Sequence, residues 1–317
     1  MVTGPQRTWT AETWPIGTAL VHFPPHSRAG RPLQEAGADE WAEVLGQVKR
    51  AGFGHVDLTD TWLRPALLSD SQQRELRDLL SGLGLGVTAI SLIRKSVAHP
   101  EPAKAQANLD YALATIETAA RLGIGIVSVG LHIETTEEQN KALWFWDAPG
   151  WVEDLGNQDR WDYTVERLQV LGDKAAEHGV QVSLEMYEDT FLGTSDLAVK
   201  LVTAVDRATV HLNPDLNLVR LHRPIEPWRE IIEKTLPHAN YWHVKNFHRD
   251  EYPDRDLYFV HGAPLAEGFI DFRWALQHAV DIGFNGPLTI EHYGGDSLSI
   301  AASGHDYLRR VLAEALA

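Results

Sequence analysis

The chain has no cysteine, and this absence excludes several kinds of site. Without thiols it can form neither disulfides nor a metal site built on thiolates. No apolar run approaches the roughly 18 residues that a membrane-spanning helix needs. Residues 1–7 lack the basic stretch and long apolar run of a secretory signal. We therefore expect an enzyme that is not bound to a membrane, with the cytoplasm as its compartment.

Positive charge is also scarce. Lys and Arg number 28 against 44 Asp and Glu, which gives a formal net charge of −16. Binding to a phosphate backbone needs clustered basic residues, so this balance argues against a nucleic-acid partner. A length of 317 residues is long for one ordinary domain but normal for an α/β barrel with insertions. We therefore expect a single domain over 1–317, with a barrel core over about 16–316.

One structural unit recurs along the chain: an amphipathic stretch, a Gly or Pro stop, and a short β-branched run. Gly after a helix ends it in the left-handed conformation, and the apolar run that follows is typical of a buried parallel strand. An opening strand at 16–22 precedes the units at 48–58, 80–90, 119–129, 175–184, 201–212, 235–244 and 279–290, and a helix at 304–316 closes the set. Eight alternating strands and helices predict a (β/α)8 TIM barrel of the α/β class.

Two connections are longer than ordinary loops between a strand and a helix. Residues 132–158 follow the fourth strand and contain Trp144, Trp146 and Trp151. Residues 246–268 follow the seventh strand and are rich in His, Tyr and Phe. Both segments leave the carboxyl ends of their strands, which is the face of a barrel where sites form. We therefore predict that these long loops cover or shape a site.

Four chemically active residues close four consecutive strands of the predicted barrel. Glu185, Asp215, His243 and Glu291 stand at or near the ends of the apolar runs 180–185, 209–215, 240–245 and 287–291. The carboxyl ends of barrel strands converge, so we expect these side chains to meet. Three carboxylates and one imidazole form a hard, mostly oxygen ligand set. The set suits Mn²⁺, with Mg²⁺ or Co²⁺ as alternatives.

Strand alternation supports this interpretation. In the fifth strand Ser183 and Glu185 share one face, whereas Val182 and Leu184 share the other. The polar residues thus fall on the interior phase and the aliphatic ones on the phase that faces the helices. Buried carboxylates that converge without a counter-charge would repel each other. A bound cation is the simplest way to stabilise them.

Other residues near strand ends are candidates for catalysis or support. His132 ends the fourth strand, and a neutral imidazole beside a metal-bound substrate can act as a base. Lys245 can neutralise a developing enolate oxygen or pair with a ligand carboxylate. His211 precedes Asp215 in the sixth strand and is a candidate partner behind the metal ligands. Further candidates, for which substrate contacts and structural roles both stay open, are His22, His55, Asp57 and Glu134.

The order Glu, Asp, His, Glu on the last four strands resembles the sugar phosphate isomerase/epimerase superfamily, the xylose-isomerase-like barrels. Segments 243–246 (His-Val-Lys-Asn) and 267–272 (Glu-Gly-Phe-Ile-Asp-Phe) resemble that superfamily's strand-seven motif and the Gly-x-Ile-Asp segment entering its next helix. The resemblance covers 16–316. It implies that Glu185, Asp215, His243 and Glu291 are the metal ligands, and that the two glutamates double as acid and base.

A finer resemblance concerns segments 185–190, 212–222, 241–250 and 291–297, which are similar to the large subunit of bacterial C-glycoside deglycosidases. Those enzymes cleave the carbon–carbon bond between sugar and aglycone in 3-oxo-glucosides, together with a small β-rich subunit. The resemblance implies a sugar or 3-oxo-glycoside substrate and a second, β-rich subunit in a hetero-oligomer. We predict four catalytic residues: His132 as the base, with Glu185, Glu291 and Lys245.

Several functions remain open at this point. A C-glycoside deglycosidase would expel an aglycone by β-elimination from a 3-oxo sugar. A ketose 3-epimerase or aldose–ketose isomerase would return the abstracted proton to another face or carbon. A barrel that binds a sugar or a partner without turnover is a third reading. A DNA-repair endonuclease of the same superfamily is disfavoured by the net charge of −16.

Overall fold

The computed structural model describes residues 9–220 and 224–317. Its strands are β1 (Ile16–Ala19), β2 (His55–Thr59), β3 (Gly86–Leu92), β4 (Ile126–Gly130), β5 (Gln181–Glu185), β6 (Val210–Asn213), β7 (Trp242–Val244), β8 (Asn246–Tyr252), β9 (Leu257–Ala263) and β10 (Leu288–Ile290). Eight of them form one parallel sheet in the order β6-β5-β4-β3-β2-β1-β10-β7. A parallel bridge between Leu212 and Ala239 links β6 to the chain just before β7, so the barrel nearly closes. The predicted (β/α)8 barrel is confirmed.

Helices alternate with the barrel strands. They are α1 (Ala38–Arg50), α2 (Asp70–Leu83), α3 (Pro102–Leu122), α4 (Glu137–Lys141), α5 (Gln158–His178), α6 (Ser195–Val205), α7 (Trp228–Thr235), α8 (Phe272–Asp281) and α9 (Ser297–Ala315). The predicted glycine stops occur after α3, where Gly123 has φ 73°, and after α5, where Gly179 has φ 65°. None of the helices in the described part of the chain has the length and apolarity to cross a membrane.

The start of the last helix differs from the prediction. We expected it to begin at Gly304, but α9 begins at Ser297, and Asp296 caps it by accepting a hydrogen bond from Ser299 N at 3.1 Å. Gly304 lies inside the helix, where an added Cβ would stand 3.2 Å from Leu265 Cδ1. The glycine therefore permits close packing of the helix and does not mark a boundary.

The barrel interior is lined by small polar side chains. Thr88, Ser91, Ser128, Ser183 and Thr289 are all buried. The hydroxyls of Thr88 in β3 and Thr289 in β10 lie 2.8 Å apart, although these strands are not neighbours in the sheet. The two side chains therefore meet across the interior. Barrel interiors are usually filled by branched aliphatic residues, so this polar lining is a distinctive feature of the barrel.

The two long connections fold into defined structures at the barrel mouth. Segment 246–268, predicted as a loop, forms the antiparallel hairpin β8–β9, in which His248 pairs with His261. Segment 132–158 contains the short helix α4 and a 3₁₀ turn at Phe145–Asp147. Trp146 Nε1 donates a hydrogen bond to Val260 O at 2.9 Å, and this bond ties the two segments together.

Asn246 explains why the sequence needs the Gly-x-Ile-Asp segment. The buried Asn246 amide donates to Leu265 O (2.8 Å) and Ile270 O (2.9 Å), and its Oδ1 accepts from Phe247 N (2.9 Å) and Ile270 N (3.0 Å). A Cβ at Gly268 would lie 2.1 Å from that Oδ1, so only glycine fits. Asn246 therefore joins the end of β7 to the segment that leads into α8.

Replacing Asn246 with Ala should destabilise the protein by about 2–4 kcal/mol, because buried carbonyl and amide groups lose their hydrogen bonds to the Asn246 side chain. Urea unfolding followed by far-UV circular dichroism measures the change. The exposed Gln277→Ala variant in α8 is the control and should change the free energy of unfolding by less than about 0.5 kcal/mol. Equal effects of the two substitutions would contradict this role of Asn246.

Candidate metal centre

The four predicted ligands converge at the carboxyl ends of the barrel strands. One ligand atom from each of Glu185, Asp215, His243 and Glu291 lies within 4.8 Å of the others, and all four residues are buried. His243 Nδ1 is 3.7 Å from Glu185 Oε1, 3.5 Å from Asp215 Oδ2 and 3.5 Å from Glu291 Oε2. Bonds of about 2.1 Å from one central cation would give spacings of this size. We refer to these residues as the quartet.

The chemistry of the quartet fits a divalent cation. Glu185 Oε2 and His243 Nδ1 are buried and have no hydrogen-bond partner among the described residues. Leaving such groups unpaired costs free energy, and a cation bound between them would remove that cost. Carboxylate oxygens with one imidazole nitrogen suit hard or borderline divalent metals. The quartet residues can therefore hold a metal ion.

Lys245 stabilises two of the three carboxylates. Its Nζ lies 2.7 Å from Asp215 Oδ2 and 3.0 Å from Glu291 Oε1. Burial alone would raise the pKa of Glu291, but the charges of Lys245 and His243 outweigh it and hold that pKa below its usual value. Burial raises the pKa of Glu185 to about 7, with partial opposition from His243. Burial alone would lower the pKa of His243, but the acidic groups around it outweigh burial and raise that pKa, so a cation bound at Nδ1 would replace a proton there.

Asp57 and Tyr241 support His243 from behind. His243 Nε2 is 3.2 Å from both Asp57 Oδ2 and the Tyr241 hydroxyl. The same carboxylate oxygen accepts hydrogen bonds from Tyr241 and from Ser91 Oγ, the latter at 2.7 Å. With Nε2–H donated to Asp57, the imidazole presents its Nδ1 lone pair to the quartet, as in many carboxylate–histidine–metal arrangements. The sequence left Asp57 open between substrate contact and a structural role. In the structure it supports His243.

His132 lies beside the quartet and lines the cleft above it. Its ring stacks on Tyr187 with centroids 4.2 Å apart, and its Nε2 accepts a hydrogen bond from the backbone amide of Arg94 at 3.2 Å. Burial, aided by the charge of Arg94, lowers the pKa of His132 well below its ordinary value. The ring is therefore neutral, and its proton is on Nδ1. A Cβ at Gly130 would lie 2.4 Å from that Nδ1, so glycine at the end of β4 makes room for the ring.

The other candidates divide into those at the mouth and those away from it. His22 lines the cleft, and burial lowers its pKa. Glu134 pairs with His99 at 3.0 Å.

The proposed support role of His211 is wrong: its Nε2 is 2.9 Å from Gln181 Oε1, at the start of β5. His211 shares the phase of Asp215, but four residues of extended chain separate them by about 13 Å along the barrel. His55 likewise begins β2, at the opposite end from the quartet, and packs on Gly86.

A cleft of about 500 Å³ opens above the quartet, with Glu185 and Glu291 in its lining. This volume is in the usual range for small-molecule sites. Trp144 and Trp146 stack in its wall with ring centroids 5.0 Å apart. We call the rings of Trp144, Phe145, Trp146, Tyr187 and Tyr293 the aromatic wall, because all of them line this cleft. The cleft therefore has the carboxylates of Glu185 and Glu291 at its base, which we call the floor, and the flat apolar rings along one side.

Several residues of the site were not predicted from the sequence. Tyr187 and Tyr293 follow Glu185 and Glu291 by two positions, so strand alternation continued past the glutamates could have identified them. Arg94 and Arg220 carry no such signal. Arg94 lines the cleft and has φ 56°, a left-handed conformation that is unusual for a residue with a side chain. Arg220 is fully buried near the mouth.

Comparison with known proteins agrees with this geometry. A sequence model described as xylose isomerase-like TIM barrel matches residues 45–311. A xylose isomerase-like TIM barrel protein from Mycobacterium smegmatis, solved in complex with magnesium, is 40% identical, with a TM-score of 0.92 over 98% of this chain and 100% of that one. A 3-keto-D-glucoside 4-epimerase from E. coli shares the fold, with a TM-score of 0.65 at 16% identity over 94% of this chain and 99% of that one.

A curated relative, the inosose dehydratase of Klebsiella pneumoniae strain 342, is 25% identical over 175 residues. The aligned part is 52% of this chain and 58% of that enzyme. The chain thus spans little more than half the length of this relative.

Replacing Asp57 with Asn should weaken metal binding by about 10–100-fold, because the amide no longer fixes the Nε2–H form of His243. The affinity for Mn²⁺ is measured by competition with a chelating dye, and circular dichroism checks the fold. Asp60→Asn is the matched control, since Asp60 is also buried but accepts its hydrogen bond from Ile93 N. Equal metal affinity in the two variants would contradict the supporting role of Asp57.

Proposed function

The chain belongs to the xylose isomerase-like TIM barrel family, and we propose that it is a metal-dependent sugar enzyme that removes a proton next to a carbonyl group. The observation that carries this proposal is the convergence of the quartet beneath a cleft of about 500 Å³. Carboxylates at the floor of a small-molecule cleft suit proton transfer to and from carbon.

The roles of the residues follow from their contacts. A divalent cation held by Glu185, Asp215, His243 and Glu291 would supply a Lewis acid for a carbonyl and a neighbouring hydroxyl oxygen. Lys245 forms ion pairs with Asp215 and Glu291 and helps to hold the pKa of Glu291 below its usual value. Glu185 and Glu291 line the cleft, so either carboxylate can accept a proton from the carbon next to the carbonyl. Mn²⁺ is the metal that we propose, with Mg²⁺ or Co²⁺ as alternatives.

Within this class we propose cleavage of the carbon–carbon bond of 3-oxo-C-glucosides. Removal of the C2 proton gives an enolate across C2 and C3. When the C3 carbonyl re-forms, a C1–C2 double bond forms, the C1–aglycone bond breaks, and the departing carbon takes a proton. The aromatic wall supports this reading, since its rings can stack on a flat aglycone. A dehydratase acting on a keto-polyol would use the same elimination, with water as the leaving group.

Epimerisation or isomerisation of a free ketose is the second candidate. It needs an acid and a base that can act on the same enolate from different sides. Glu185 and Glu291 come from different strands and both line the cleft, which favours this alternative equally. A sugar- or partner-binding barrel without turnover is the third reading.

A second subunit is also part of the proposal. We propose a small β-rich partner that binds at the barrel mouth. The hairpin β8–β9 carries exposed aromatic side chains, with Tyr252 47% and Phe259 52% accessible, and its Val260 accepts the hydrogen bond of Trp146 in the aromatic wall. Such side chains are typical of protein–protein contacts.

Removal of the metal should abolish turnover, because the carbonyl then loses its Lewis acid. Chelator-treated protein is assayed with a 3-oxo-C-glucosyl flavonoid and with a panel of free ketoses, before and after addition of Mn²⁺, Mg²⁺ or Co²⁺. Aglycone release that returns with the metal supports the deglycosidase. Ketose interconversion without aglycone release supports the epimerase. Metal-loaded protein that turns over none of these compounds, alone or with a β-rich partner, would contradict the proposed activity.

His132→Ala should lower aglycone release by about 100-fold or more without loss of bound metal. The sequence predicts His132 as the base, and that role stays a prediction. The hydrogen bond from Arg94 leaves the neutral ring with a proton on Nδ1, so a second role for His132 is that of a hydrogen-bond donor to the substrate. Washout of deuterium from C2 separates the two roles. Washout that persists supports the donor, whereas loss of both washout and release identifies His132 as the base.

A further inference from the structure

We propose that Arg220 is a positioning residue that holds the aromatic wall in shape. Its guanidinium carbon lies 4.8 Å from the ring centroid of Trp146, 5.0 Å from Phe145, 5.4 Å from Tyr187 and 5.7 Å from Tyr293. These four rings come from the segments after β4, β5 and β10, and Arg220 itself follows β6. One side chain thus contacts the rings of three other segments at the barrel mouth.

The contacts of Arg220 are mainly with ring faces. The residue is fully buried, and it forms an ion pair with Glu188, which is also buried. Neither Nε nor Nη1 has a hydrogen-bond partner among the described residues. A guanidinium in that position is stabilised by the electron-rich faces of the surrounding rings, and Glu188 balances its charge. Displacing the rings would leave a buried cation poorly paired, so the rings and the arginine hold each other.

Arg220 acts behind the wall and does not touch the cleft. Phe145, Trp146, Tyr187 and Tyr293 line the cleft, whereas Arg220 does not. The indole Nε1 of Trp146 donates a hydrogen bond to Val260 O in the hairpin β8–β9. Trp146 therefore contacts both that hairpin and Arg220, and Trp144 stacks on its ring. A ligand that stacks on the wall depends on Arg220 only through the positions of these rings.

The planar shape of the guanidinium is what this role requires. A flat, delocalised cation can present faces and edges to several rings, whereas the ammonium of lysine is a compact point charge. Arg220→Lys therefore keeps the charge beside Glu188 but loses the stacking. The double variant Arg220→Met, Glu188→Gln removes both charges together and avoids an unpaired buried glutamate. Arg229→Lys is the matched control, because Arg229 lies 5.1 Å from the rings of both Trp228 and Trp274, outside the cleft.

The test has a structural and a binding measurement. The near-UV and far-UV circular dichroism of the stacked Trp144–Trp146 pair reports on the wall, and a crystal structure of each variant locates the rings. Binding of 4-nitrophenyl β-D-glucoside is compared with that of methyl β-D-glucoside, which has no ring to stack. We expect both Arg220 variants to change the circular dichroism signal of the Trp pair. We also expect them to lower the affinity for the nitrophenyl glucoside by about tenfold relative to the affinity for the methyl glucoside. Mn²⁺ affinity should stay unchanged, as should every property of Arg229→Lys.

Only the choice of glucosides as probes rests on the proposed function. The positioning role of Arg220 and the proposed function can therefore fail separately. Displaced rings in a protein that binds neither glucoside would leave the positioning role intact and contradict a sugar site. Rings that stay in place in both Arg220 variants, with an unchanged Trp signal, would overturn the role of Arg220 whatever the enzyme's activity. The role would also be overturned if Arg220→Lys lost Mn²⁺ affinity by the same factor as it lost affinity for the nitrophenyl glucoside. The defect would then lie at the quartet.

Discussion

The repulsion among three buried carboxylates is the constraint on which the rest of the barrel mouth depends. Glu185, Asp215 and Glu291 approach one imidazole within 3.5–3.7 Å, and all four side chains are buried. Ionised groups in such a place are stable only with opposite charges at short range. Lys245 supplies one such charge, and a cation held by the quartet would supply a second. The polar barrel interior beneath the site is consistent with this need for compensation.

Support for the site comes from within the barrel. Asp57, Tyr241 and Ser91 form a hydrogen-bonded group behind His243, and Asn213 Oδ1 accepts the His243 backbone amide at 2.7 Å. The strands from which these groups project are rigid elements, so the imidazole is fixed before any ligand binds. The mouth is different. Its shape depends on segments after four strands, and their side chains meet around the buried pair of Arg220 and Glu188. A rigid floor with a wall built from loops is the arrangement by which one barrel fold supports many chemistries.

The quartet and the aromatic wall bear on different aspects of the proposed function. The quartet is common to every enzyme reading of the chain, because proton removal next to a carbonyl needs the same charge stabilisation in an epimerase and in a lyase. Under the proposed function, the aromatic wall would determine what is bound beside the sugar. Its stacked tryptophans and two tyrosines present flat apolar area next to carboxylates, which suits a sugar joined to an aromatic group.

The sequence alone determined the barrel and the quartet, because both follow from local patterns. Period-two alternation identifies the inward face of each strand, and the order of strands brings their ends together. It did not determine the hairpin β8–β9, the start of α9 at Ser297 or the distant position of His211. The support of His243 by Asp57 and the enclosure of Arg220 also required the folded chain. Asp57 and His243 are 186 positions apart, and the rings around Arg220 come from three separate segments. Contacts of this kind depend on closure of the barrel and on the path of its loops, and no local sequence pattern encodes them.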